Sequence, residues 1–174
     1  GAAAVGLVGA VLAVGVVAGS EQGAGWTLVG WNDLGMHCMD ADYEVFAILP
    51  PYNTFHAQLL SPSGELVTAP GSVTVTYEAV ADPAGSINTT SAGKTGFWGA
   101  VLDLFGVSLP VDRGLAGSSM PGPGNEPQAM HFDSGFEWFS AEGVPITPTD
   151  DAGRENPYPM MRLVARDGAG ALLA

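Results

Sequence analysis

The sequence is poor in cysteine and in positive charge. One cysteine, Cys38, occurs in 174 residues. That excludes an internal disulfide, the multi-cysteine zinc patterns and a CxxCH haem attachment. Five Lys and Arg stand against 18 Asp and Glu, for a formal net charge of −13. A surface that grips nucleic acid needs clustered bases, so nucleic acid is excluded as an expected partner. With 25 Gly and 13 Pro, the composition also argues against a mostly helical bundle, because these residues least favour element interiors. The 47% of hydrophobic residues still suffices for a core and excludes wholesale disorder, and the length suits one globular domain.

Charge is wholly absent from residues 1–19, "GAAAVGLVGAVLAVGVVAG". At about 1.5 Å per residue a helix of this length spans about 28 Å, close to the roughly 30 Å hydrocarbon thickness of a bilayer. A secretory signal has a shorter apolar region, about 7 to 15 residues, so the expectation is a single transmembrane anchor over residues 1–20. Small residues recur four apart at Ala2 and Gly6, Gly9 and Ala13, and Gly15 and Gly19. Such spacing lets helix backbones approach closely, so these six residues are the expected packing face against other membrane helices. Glu21 is the first charged residue after the span and no Lys or Arg appears before Lys94. By the positive-inside rule the N-terminus is cytoplasmic and the C-terminal part extracytoplasmic, on the periplasmic side. Trp26 and Trp31 suit either the headgroup level or the core of the domain that follows.

Residues 26–174 read as one extracytoplasmic, β-rich domain. In "SVTVTYEAV", Val73, Val75, Tyr77 and Ala79 alternate with Thr74, Thr76, Glu78 and Val80, the pattern of a half-buried strand. Apolar runs flank Ser61-Pro62-Ser63-Gly64 and again Asp167-Gly168, two hairpin signals. Only "GFWGAVLDLFG" looks helical, with Phe97, Val101, Leu104 and Phe105 on one side and Gly106 as its stop. The stretch 114–128 has no periodicity and reads as a loop. The expected fold is mainly β: an antiparallel, β-sandwich-like, loop-rich domain with one short helix, in which long loops carry contacts.

The densest chemistry lies between Gly30 and Leu60, which hold His37, His56, Cys38, Met36, Met39 and the acids Asp33, Asp40, Asp42 and Glu44. Imidazole, thiolate and thioether are the ligand types of copper electron-transfer sites. The candidate copper ligands are therefore Cys38, His56 and either His37 or Met36, although neighbours such as His37 and Cys38 point to opposite faces on a strand. Asp40, Asp42 and Glu44 offer oxygens to calcium, but no Gly stands at the sixth position of an EF-hand loop. Cys38 beside His37 also raises a thiol enzyme, which would need a third group to orient the pair. Against all of these stands burial: Cys38, Met36 and Met39 as soft core residues, with His37 and His56 hydrogen-bonded in a loop-rich interior. His131, alone in "QAMHFDSG", reads as a surface or packing residue.

With five bases in the chain, Lys94 and Arg154 are candidates for ion pairs that pin loops, worth about 1 kcal/mol each if partly exposed. Asn88-Thr89-Thr90 matches a glycosylation acceptor, relevant only in a eukaryotic secretory pathway. The stretch "WNDLGMHCMDADYEVFAILPPYNTFHAQLL", followed by "KTGFW", "LFGVSLP" and "EGVPITPTDDAGRENPYP", resembles a bacterial family of exported or membrane-anchored proteins with no established activity. The resemblance covers most of the chain beyond residue 26. It implies an extracytoplasmic domain and, because some members continue into segments with CxxCH haem sites, an electron-transport setting; it implies no catalytic residue. The resulting expectation is a non-catalytic accessory or scaffolding subunit without a cofactor. Its partners would be the bilayer and the helices and outer surfaces of a respiratory or photosynthetic membrane complex. A membrane-tethered copper carrier is the alternative, and a Cys38 enzyme the third reading.

Overall fold

A computed structural model describes residues 25–35 and 51–174 of the chain. The elements run β1 (Thr27–Gly35), β2 (Asn53–Leu60), β3 (Thr74–Val80), α1 (Phe97–Phe105), β4 (Gln128–Ala129), β5 (His131–Asp133), β6 (Trp138–Val144) and β7 (Met160–Arg166). They form a four-stranded sheet in the order β1-β2-β6-β5 and a three-stranded sheet in the order β4-β3-β7. Every pairing is antiparallel. The described residues are thus mainly β with one short helix, as the turn-rich composition requires, and the arrangement is compatible with a sandwich.

Period-two alternation makes the core. Phe55, Ala57 and Leu59 of β2 and Phe139 and Ala141 of β6 point inward from the larger sheet, and meet Val75, Tyr77 and Ala165 of the smaller one. Phe55 and Tyr77 join the sheets edge to face, their ring centroids 5.6 Å apart. Fully burying an aliphatic or aromatic side chain is worth about 1.5–3 kcal/mol, so this cluster is the main source of the domain's stability. Met120, Met130, Val144 and Ile146 close its margins.

The ladders of the larger sheet are interrupted at one end. The β1–β2 register shifts between Asn32 and Leu34, leaving Asp33 without a partner, and the β2–β6 register shifts between Asn53 and Phe55. On β6 the shift falls at Gly143, whose φ of +66° few side chains adopt. Such bulges bend a strand and re-aim its side chains, and Asp33 occupies one of them.

Strand β3 and its burial follow the sequence pattern, with Val75, Tyr77 and Ala79 buried. Both hairpin signals are turns, but each return strand is a single bridge: Leu60 to Leu66, and Arg166 to Leu172. The helix ends at Gly106, whose φ of 69° lets its N–H reach the Leu102 carbonyl. Its buried stripe is shorter than the sequence suggests. Phe97 and Val101 are buried, whereas Leu104 and Phe105 are 48% and 42% exposed, because the last turn has no surface beneath it. Trp26 packs against the core. Asn88 is buried and donates to the Thr147 carbonyl at 2.6 Å, so in the folded domain it is not available as a glycosylation acceptor.

Among the described residues no helix is long and apolar enough to cross a membrane. The expected span, with Ala2, Gly6, Gly9, Ala13, Gly15 and Gly19, lies outside the described residues.

Candidate functional site

Because β2 sends Phe55, Ala57 and Leu59 inward, Thr54, His56 and Gln58 face the other side of the sheet. His56 is nevertheless only 4% exposed. Register explains its surroundings: His56 lies directly opposite Trp31 on β1 and Ser140 on β6, and Ser140 lies opposite His131 on β5. These four side chains share the outer face, where directly opposed Cβ atoms sit about 4.5–5.5 Å apart.

Aromatic rings wall in the imidazole. Its centroid is 4.4 Å from that of Trp138 and 5.5 Å from that of Trp31. Phe136 stacks on Trp138 at 4.7 Å and 13°, carrying the ring series out to a residue that is 63% exposed. From the bulge, the Asp33 carboxylate reaches Nε2 of His56 at 2.7 Å. An ionised carboxylate only accepts hydrogen bonds, so Nε2 is the donor in this contact. Among the described residues Nδ1 of His56 is buried without a hydrogen-bond partner, and so is Oγ of Ser140. His131 is exposed at the edge of the same row.

A second polar concentration stitches loops together. Asp150 is fully buried and accepts from the backbone N–H groups of Ala152 and Arg154, from the Ser86 hydroxyl and from the Arg154 guanidinium. Burial alone raises its carboxyl pKa, but these donors outweigh it and bring it down to about 2. Asp151 is likewise lowered: burial works against ionisation, while Lys94 and the Thr89 hydroxyl and N–H more than compensate. Lys94 lies between Asp151 Oδ1 at 2.7 Å and Asn88 Oδ1 at 2.8 Å. Lys94 and Arg154 therefore hold loops as the sequence suggests. The cavity of about 450 Å³ lined by Asp82, Ser86, Asp150, Arg154, Asn156 and Tyr158 is the mouth of this network, and its buried polar groups are already engaged with one another.

Of the candidate ligands only His56 is among the described residues, and it stands on a strand and not in a loop. Met36, His37 and Cys38 lie outside them, as do Met39, Asp40, Asp42 and Glu44. Among the described residues no group of three or more His, Cys, Asp and Glu side chains is placed to hold a metal ion. Asp33, Trp31, Trp138 and Ser140 are the neighbours that inspection of the sequence around His56 does not find. A scan against protein-family models finds no match, and searches of the curated proteins and of the solved structures return no significant relative.

Proposed function

We propose that the chain is a non-catalytic accessory subunit of a larger membrane complex, tethered through residues 1–20 with its acidic domain on the extracytoplasmic side. One observation carries this reading. From Leu102 to Ser108 every residue is exposed, and Leu102, Leu104, Phe105, Val107 and Val111 are each more than 40% exposed. Asp103 is the one charged residue in α1. A surface helix normally turns a polar face to water, and a contiguous apolar one marks an interaction site. An electron-transfer complex is the setting in which we place it, because haem-bearing chains occur in the family that the sequence resembles.

The test is extraction of the full chain in mild detergent, followed by affinity capture. The wild type should bring down partner polypeptides in fixed ratio. Placing Asp at Leu104 and Val107 removes two apolar contacts of about 1.5 kcal/mol or more each, so capture should fall by at least a hundredfold with an unchanged melting temperature. Full capture by the Leu104→Asp, Val107→Asp variant would remove α1 from the interface. A wild type that emerges alone would remove the accessory role.

A second reading, a membrane-tethered copper carrier, draws on a different observation. His56 has one ring nitrogen held by a carboxylate, and among the described residues the other is buried with no hydrogen-bond partner; a carboxylate in this position commonly orients a histidine ligand. Met36, His37 and Cys38 follow three to five residues after Asp33 in the sequence. Stoichiometric copper in the purified protein would favour this reading over the first.

A further inference from the structure

We propose that the cleft between the turn at residues 82–86 and the loop at residues 150–158 binds a neutral saccharide, with Tyr158 as the platform for a sugar ring. This goes beyond the accessory role, since no residue of α1 lines the cleft.

The cleft holds about 450 Å³, within the range of about 300–1,000 Å³ usual for small-molecule sites. Its walls are fixed before any ligand arrives. Asp82 Oδ1 accepts from the N–H groups of Ala84 and Ser86 and sets the turn. The Ser86 hydroxyl donates to Asp150 at 3.0 Å and accepts from the Asn156 amide at 2.8 Å, and Asn156 Oδ1 in turn accepts from the Tyr158 N–H at 3.2 Å. Pro157 and Pro159 restrict φ on either side of Tyr158. A chain of bonds thus runs from the buried Asp150 to the backbone that carries the ring. A site ordered in this way loses little freedom on binding.

The groups on those walls select the chemistry. Tyr158 is 67% exposed, so its ring adds nothing to the core, yet its backbone is held rigidly. A sugar ring has one face of C–H bonds that lies flat on such a ring, and a rim of hydroxyls that both donate and accept. The cleft answers the rim with both kinds of partner. Asp82 and the exposed Glu155 offer carboxylate acceptors. Arg154 offers donors: its Nε and Nη2 meet Asp150 Oδ2 at 2.7 Å, and the side chain remains 57% exposed. An anion would face the Asp82 and Glu155 carboxylates, and an organic cation would face the Arg154 guanidinium. A neutral polyol meets neither penalty.

The experiment uses the full chain in a polyoxyethylene detergent, which carries no sugar headgroup. It is titrated by calorimetry with maltotriose, cellotriose and N-acetylchitotriose, and with spermine as a cationic control. We expect saturable one-to-one binding of at least one trisaccharide and none of spermine. Tyr158→Ala should weaken that binding by about tenfold or more, because an aromatic anchor carries a large share of such a contact. Its melting temperature should not change, since the ring lies outside the core. Tyr158→Phe keeps the ring and should stay within about threefold of the wild type. Glu155→Ala should lose about tenfold, the effect of removing a hydrogen bond to a charged acceptor. Trisaccharide binding that is unchanged in Tyr158→Ala would overturn the site. Equal losses in Tyr158→Ala and Tyr158→Phe would overturn the platform role of the ring. Saturable spermine binding without saccharide binding would assign the cleft to cations and overturn the saccharide class. A wild type that binds none of the three trisaccharides overturns the proposal outright.

Discussion

Tyr77 gives the sharpest prediction about the fold. It is 1% exposed at the centre of β3, packs against Phe55, and donates its hydroxyl to the Ser119 carbonyl at 2.6 Å. Phenylalanine fills the same space, so Tyr77→Phe removes one buried hydrogen bond and should cost about 1–2 kcal/mol at neutral pH. Burial also pushes the phenol pKa from 10.0 up to about 12. Ionisation produces the charged form, which the folded state disfavours, so the folded protein holds this proton more tightly than the unfolded chain. The associated stability is complete below pH 10 and is lost between pH 10 and pH 12. At 1.36 kcal/mol per pKa unit, about 1.4 kcal/mol is gone at pH 11 and about 3 kcal/mol well above pH 12. The Phe variant has no such group. The two stability curves should therefore cross near pH 11, with the wild type ahead below it and the variant ahead above it. Urea unfolding followed by tryptophan fluorescence from pH 7 to pH 12 measures the difference, and the other titrating groups are common to both proteins. A difference that stays constant across this range would refute the claim that the Tyr77 hydroxyl is buried and donates.

The acid limb should behave in the opposite sense. Asp150 falls from 3.8 to about 2 on folding, so its contribution is present above pH 4 and lost as pH drops towards 2; Asp150→Asn should flatten that part of the thermal-melt profile. A Cβ at Gly114 would run into the Gly143 carbonyl oxygen, which is backbone and cannot yield, so Gly114→Ala should cost about 3 kcal/mol or more and lower the melting temperature by about 10 °C. Gly99 in α1 faces open space, and Gly99→Ala should instead stabilise by about 0.5–1 kcal/mol through helix propensity. Equal effects at the two glycines would show that the close approach of residues 114 and 143 is wrong.

What could be read from the sequence depended on how many faces of an element are buried. Strand β3 has one face in the core, so Val75, Tyr77 and Ala79 alternate with polar residues and announce it. Strand β2 is buried on both faces from Asn53 to Ala57, so no alternation shows there, and His56 looks like part of a loop. The helix was legible from Phe97 to its Gly106 stop, but a periodic stripe cannot tell whether a surface lies beneath its last turn. His56 attracted attention through its nearness to Cys38 in the chain. Its actual neighbours arrive by pairing: Asp33 from 23 residues upstream, and Trp138 and Ser140 from β6 on the far side of β2. Those contacts follow from register, and register is set by the whole sheet.

The acidity now has a mechanical reading. Asp82, Asp112, Asp133, Asp150, Asp151 and Asp167 all accept backbone N–H groups in loops and turns. A carboxylate that takes two or three such donors fixes a short irregular segment that has no ladder to hold it. A domain that spends so much of its length on turns therefore accumulates negative charge, of which Lys94 and Arg154 offset part at Asp151 and Asp150. In the strands the logic differs. Glu78 of β3 meets Arg162 directly across the β3–β7 ladder, an ordinary cross-strand ion pair. Among the described residues Asp33 pins no turn and meets no Lys or Arg, and its carboxylate goes to a buried imidazole instead. Loop stapling and strand pairing account for the acids above but not for Asp33, and that exception places the search for chemistry on the outer face of the larger sheet, at His56.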